Sequence, residues 1–235
     1  MAIEHLDHRQ ARALIEEMTS TRNLLAYGVR AVRTGAFIDT TRDPILTLLS
    51  IGVEKLYKLT LGLIALDRDH QWRSRAEMKK HSHDLLAMHA SVIGELQTRT
   101  ATQTVYVREL LAEVEADDVL EAIIAALSVY GSAGRFYNLD ELGGHSQPID
   151  PRNAWDEVDE AARNNPHVNA LFQQAVRDPG DAKAWKQFTL VTQEHIASSI
   201  EGLWTAIAVF GRNRTLGETG RTFGIEVHPD AVGRQ

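Results

Sequence analysis

Residues 44–66 read PILTLLSIGVEKLYKLTLGLIAL, and this stretch decides the fold. On a 3.6-residue helix its apolar side chains cover most of the circumference. They leave Thr47, Ser50, Glu54 and Lys58 as one narrow polar stripe at steps of three and four. A run of this length could span a bilayer, but Glu54, Lys55 and Lys58 fall at its middle, where each charge is costly in hydrocarbon. The stretch therefore reads as the central helix of a bundle. Asp43-Pro44 marks its predicted start, with aspartate suited to the cap and proline tolerated in the first turn.

Before Pro44, the residues Leu14, Met18, Thr21, Leu25, Gly28, Val32 and Gly35 recur at alternating steps of four and three, the seam of one long helix. Gly28 and Gly35 would let a second helix approach it closely. After Leu66, residues 67–80 form a polar linker carrying Arg68, His70, Arg73, Arg75, Lys79 and Lys80 around Trp72. A third helix is expected from about 83 to 97, capped by His83-Asp84. A fourth begins near Thr102 and breaks at Asp117-Asp118, where a second cap starts the run 119–130 and Gly131 ends it as a left-handed residue. Residues 131–153 hold glycine and proline with little periodicity and read as a loop or subdomain boundary.

Two shorter helices follow, split by Asn164-Asn165-Pro166. A last long helix starts at the Asp181 cap, carries Trp185, Phe188, Thr192, Ile196, Ser199, Leu203, Ala206 and Phe210 on one stripe, and stops at Gly211. Residues 222–227 read as a short extended piece. Nothing else alternates with a period of two, so the class is all-α, a multi-helix bundle in one domain. Its core is expected over about 8–140, with a C-terminal helical extension over about 151–213 and a tail over 214–235.

Composition narrows the chemistry. A chain of 235 residues, 43% hydrophobic and 24% charged, can bury a sizeable core. The lack of cysteine removes disulfides, zinc–thiolate sites and thiol nucleophiles together. Met1 to Gln10 is polar and acidic where a secretory leader needs a basic start and an apolar run, so a cytoplasmic setting is expected. A net charge of −7 argues against general nucleic-acid binding and leaves only a local basic patch for that role. Gly131 to Gly134 lacks the lysine of a phosphate loop and follows a helix where a strand is required, so no nucleotide fold and no cofactor is indicated.

The segment Gly52-Val53-Glu54-Lys55-Leu56-Tyr57-Lys58-Leu59, followed by Lys80-His81-Ser82-His83-Asp84-Leu85 and later by Arg135-Phe136-Tyr137-Asn138-Leu139-Asp140, resembles the HEPN superfamily of helical domains over roughly residues 44–140. The resemblance implies an up-and-down bundle of four or five helices that often pairs through its long helices, hence a homodimer. It also implies a nucleotide or RNA as partner. In the RNA-cleaving branch, an arginine and a histidine separated by four to six residues act together. The imidazole moves protons for attack by the ribose 2′-hydroxyl, and the guanidinium stabilises the phosphate. Arg75 and His81 fit that spacing, as do Arg221 and His228 outside the resembling region. Ala76 follows Arg75 where that branch usually has a polar residue. In one continuous helix, six steps of about 100° would leave Arg75 and His81 roughly 120° apart, so they converge only across a loop.

Arg75 and His81 are thus the candidate catalytic residues of a metal-independent ribonuclease, and Arg73, His83, Asp84, Arg135 and Tyr137 the candidate ligand-binding residues, with Trp72 available to stack on a base. Each has a plainer reading. Asp84 caps the third helix, Glu54 and Lys58 form either an exposed helical pair or the lining of a polar cleft, and Arg135 and Tyr137 either anchor a loop or reach a phosphate. Glu77, His81 and Asp84 would share a face only if the third helix began early, and then could hold a divalent ion. The rival function is a non-catalytic scaffold or protein-interaction module in which the basic linker is a solvated loop.

Overall fold

The computed structural model describes residues 3–35, 38–80 and 82–232. Among them are eleven α-helices and two 3-10 turns, with no strand: an all-α multi-helix bundle. Helix α1 spans His8–Thr34 and opens with a reciprocal cap, in which the Gln10 amide donates to the Asp7 carboxylate (2.7 Å) and the Asp7 amide to the Gln10 side chain (2.9 Å). Its predicted seam is buried from Leu14 to Val32 against α2, Ile38–Asp69. A Cβ on Gly28 would stand 2.5 Å from Leu49 Cδ2, so the glycine sets how closely the two helices cross. Gly35 lies one residue past the end of α1, where its carbonyl accepts from Gln193 (2.6 Å).

Pro44 does not start α2; the helix begins six residues earlier and carries the proline inside it. The ring costs the helix one backbone bond. Complete burial of Ile45, Leu46 and Leu49 immediately beyond it outweighs that loss. The linker after α2 contains a short helix α3, Arg75–Lys79, capped by Ser74. Then come α4 (Leu85–Thr100) capped by Asp84, α5 (Val105–Glu115), and α6 (Asp118–Ser132) capped by Asp117. The caps fall where the sequence puts them, because each aspartate accepts from an amide three residues on. Gly131 is not a left-handed stop but a buried residue inside α6, against the His83 backbone.

The expected loop 131–153 is partly helical as well. It forms a 3-10 turn, Gly134–Phe136, and α7, Tyr137–Leu142. Helices α8 (Pro151–Arg163) and α9 (Pro166–Arg177) follow, divided at Asn164-Asn165 as read, then α10 (Ala182–Arg212). Gly211 does not end α10, and residues 222–227 are not extended: 222–226 belong to α11, Glu218–Glu226, and Val227 is its C-cap. Gly211, Gly220 and Gly224 bring α10 and α11 into backbone contact, and a Cβ on Gly224 would collide with the Ala208 carbonyl and the Arg212 amide.

One continuous apolar cluster runs from Leu14 on α1 through α2, α4, α5 and α6 to Trp155 on α8, Trp204 on α10 and Phe223 on α11. Helices α8, α10 and α11 therefore share the core of α1 to α6. Among the described residues no single helix is long and apolar enough to cross a membrane. Helix α6 with the short helices after it passes by length and composition only as a pair bent by 58°.

Candidate functional site

The first turns of α2, the 3-10 turn, α7 and the start of α8 meet at one corner and enclose a cavity of about 210 Å³. Gly134 makes this corner compact: a Cβ there would sit 2.7 Å from the Pro151 ring, so the turn can tuck beneath the first residue of α8. Asp150 caps α8 through the Arg152 amide (2.8 Å) and also pairs with the Arg152 side chain (2.8 Å). The hydrogen bond from that guanidinium, chiefly, holds the Asp150 carboxyl below its ordinary range. Arg42 reaches the cavity from α2 with its side chain 8% exposed and pairs with Asp156 of α8 at 3.7 Å.

Arg135 and Tyr137 line the same cavity. The Arg135 guanidinium lies over the Phe136 ring, 5.1 Å from its centroid, and forms no hydrogen bond or ion pair with any described residue. Three guanidinium groups, those of Arg42, Arg135 and Arg152, thus face two carboxylates, Asp43 and Asp150. Arg152 already engages Asp150 and Arg42 engages Asp156, which leaves Arg135 as the guanidinium of the three with no acidic partner among the described residues.

From this corner the polar stripe of α2 continues as a partly buried seam. The Tyr130 hydroxyl meets Thr47 Oγ1 at 2.8 Å and donates to the Asp43 carbonyl at 3.3 Å. Two turns on, Glu54 is bridged by Lys58 on one oxygen and by His83 Nδ1 on the other (2.9 Å). Glu54 and Lys58 do form the i,i+4 pair, but not an exposed one, for the Glu54 side chain is only 16% exposed. A carboxylate partner requires Nδ1 to donate, so in the neutral form of the 44%-exposed His83 the accepting nitrogen is Nε2. Asp84 is committed to structure: it accepts from the Ala87 amide (3.0 Å) and from Ser128 (3.3 Å), pinning α4 to α6. Deeper in the same interface the fully buried Tyr57 hydroxyl meets His89 Nδ1 at 2.6 Å, and burial pushes the His89 pKa down.

The linker stands apart from the cavity. Trp72 packs on Gly62 of α2, roughly 28 Å along the helix from Asp43 at 1.5 Å per residue. Its indole also lines an apolar cleft with Leu6, Leu14 and Leu59, so it serves as an anchor there. Arg73 and Arg75 make no hydrogen bond or ion pair with a described residue, and Arg75 is exposed. His81 lies outside the described residues. Glu77 accepts from the Ser74 amide (2.8 Å) and hydroxyl (2.6 Å), which lowers its pKa. Glu77 and Asp84 thus serve helix caps. Among the described residues no three histidine, aspartate or glutamate side chains are grouped to hold a metal ion. His228 turns to the amide of Asp230 (3.2 Å), capping the second 3-10 turn.

Of the residues singled out from sequence, the fold brings Arg135 and Tyr137 together, joins His83 to Glu54, and sets Arg73 on the distant linker beside Trp72. Arg42 and Arg152 were missed. The Asp150-Pro151 start signal could have placed Arg152 in a first helical turn, but nothing local links Arg42 to either. Comparison with protein-family models, curated proteins and solved structures found no match to this chain.

Proposed function

We propose that this chain is a HEPN-like helical bundle that binds the phosphate of a nucleotide or of an RNA strand at the corner formed by α2, α7 and α8. One observation carries the reading: the Arg135 guanidinium, without an acidic partner among the described residues, borders a cavity that also holds Arg42 and Arg152. A guanidinium offers paired donors that match phosphate oxygens, and its charge persists at every physiological pH. With a net charge of −7 on the whole chain, such recognition is local and rests on few contacts. Pairing into a homodimer belongs to the same proposal; the exposed apolar residues Ile15 and Tyr27 on α1 and Ile51 on α2 are groups that pairing through the long helices would cover.

The test is fluorescence anisotropy of labelled RNA and of a labelled nucleotide at low salt. The Arg135→Ala variant should bind at least about ten-fold more weakly, as expected for loss of a charge-assisted contact, while Arg75→Ala binds as wild type. Equal binding by wild type and Arg135→Ala would refute the site, and no salt-sensitive association at all would favour the scaffold reading. A second reading, RNA cleavage, has one specific observation in its favour: Glu54 holds Nδ1 of the 44%-exposed His83, so in the neutral ring Nε2 is the nitrogen that would accept a proton. Cleavage of RNA without added metal, lost in His83→Ala and retained in Arg75→Ala, is the outcome it requires.

A further inference from the structure

Four large apolar side chains lie exposed within one short stretch that starts next to Arg135: Phe136, Leu139, Leu142 and Ile149, with Leu142 86% exposed. Single exposed apolar residues are ordinary; four within so short a stretch, beginning beside the cavity-lining Arg135, mark a surface that meets something. The Arg135 guanidinium connects the two features, because it lines the cavity and also covers the Phe136 ring, whose residue is 49% exposed.

Resting on the phosphate reading above, we infer that Phe136 is the stacking platform for a nucleobase whose phosphate occupies the cavity. The ligand is then a nucleotide unit, free or within a single strand, and not a sugar phosphate or an inorganic anion. Every base presents a π-face that an aromatic ring can meet, and a guanidinium over the same ring adds a cation–π contribution. Leu139, one turn along from Phe136, supplies flat apolar contact beside it. A lipid surface would also suit apolar side chains next to arginines. Asp140 and Glu141 stand among the α7 leucines, however, and the chain carries a net charge of −7, which opposes an anionic bilayer.

The experiment is titration of the full chain with AMP, a short adenosine oligoribonucleotide, ribose 5-phosphate, pyrophosphate, and vesicles of phosphatidylcholine and phosphatidylserine. Phe136→Ala should weaken AMP about five-fold or more, the lower end of what a base–aromatic stack contributes, and leave pyrophosphate unchanged. Phe136→Trp should retain AMP affinity, with its indole emission quenched on binding. AMP binding as well as the oligomer assigns a free nucleotide, and tighter oligomer binding assigns a strand; both support the stack. If Arg135→Ala loses both AMP and pyrophosphate while Phe136→Ala binds AMP normally, or loses both ligands equally, stacking is overturned and the phosphate reading stands. Vesicle binding that depends on Phe136, without AMP binding, overturns it in favour of a lipid surface. Failure of wild type to bind any of AMP, pyrophosphate and the oligoribonucleotide refutes the phosphate reading itself.

Discussion

Replacing Gly62 by alanine separates the anchored linker from the cavity. Gly62 is inside α2, and a Cβ there would stand 2.5 Å from Cη2 and 2.8 Å from Cε2 of the Trp72 indole. Neither the backbone of a helix in mid-bundle nor a ring held among Leu6, Leu14 and Leu59 can give that distance cheaply, so the indole must leave. Alanine gains about 1 kcal/mol of helix propensity over glycine. Eviction of a partly buried indole loses roughly 2–3 kcal/mol, about half or more of what a core tryptophan contributes. The net loss is about 1–2 kcal/mol, which for a chain of this length lowers the melting temperature by roughly 2–8 °C. Thermal melting and tryptophan emission report it together. Trp155 and Trp204 are fully buried, so a red shift that disappears in Gly62→Ala combined with Trp72→Phe belongs to Trp72. Phosphate binding should persist. A variant more stable than wild type, with emission unmoved, would refute this placement of the linker; loss of phosphate binding would return the site to the linker arginines.

Two other outcomes follow from the interior. Gly224→Ala should destabilise by more than about 2 kcal/mol, seen as a lower urea midpoint, because the contacts at risk are backbone atoms of α10 that cannot rotate away. Burial lowers the His89 pKa in the folded chain, with the Glu121 charge opposing it, so the unfolded chain takes up the proton first as pH falls through about 6.5. The stabilisation by neutral His89 is therefore complete above that pH and declines below it. The lowered pKa of His228, set by burial and then by Arg212, acts in the same direction. Urea midpoints measured between about pH 7 and 5 should fall, and His89→Gln should flatten part of that slope.

What was legible in the sequence was local. Asp84, Asp117 and Asp181 announce helix starts because each cap is made with amides two or three residues on, and the α1 seam is legible because burial repeats with the helical period. What was not legible depends on distant partners. Pro44 is accommodated inside α2 because of the burial of Ile45, Leu46 and Leu49. Residues 222–226 are helical because three glycines let α11 lie against α10, a tertiary gain that outweighs their weak local preference. The same division holds at the site. Arg135 and Tyr137 stand out as a short motif, whereas Arg42 joins them only when α8 packs on α6 and brings Asp156 to it from more than a hundred residues away. The linker arginines looked attractive because charge density can be read along a chain, but proximity to a cavity cannot.

The most direct measurement is backbone amide chemical-shift mapping of the full chain during titration with pyrophosphate. The account predicts shifts concentrated at Gly134, Arg135, Tyr137, Asn138 and Arg152, abolished in Arg135→Ala. Shifts confined to the segment from Arg73 to Lys80, or none at any concentration, would contradict it.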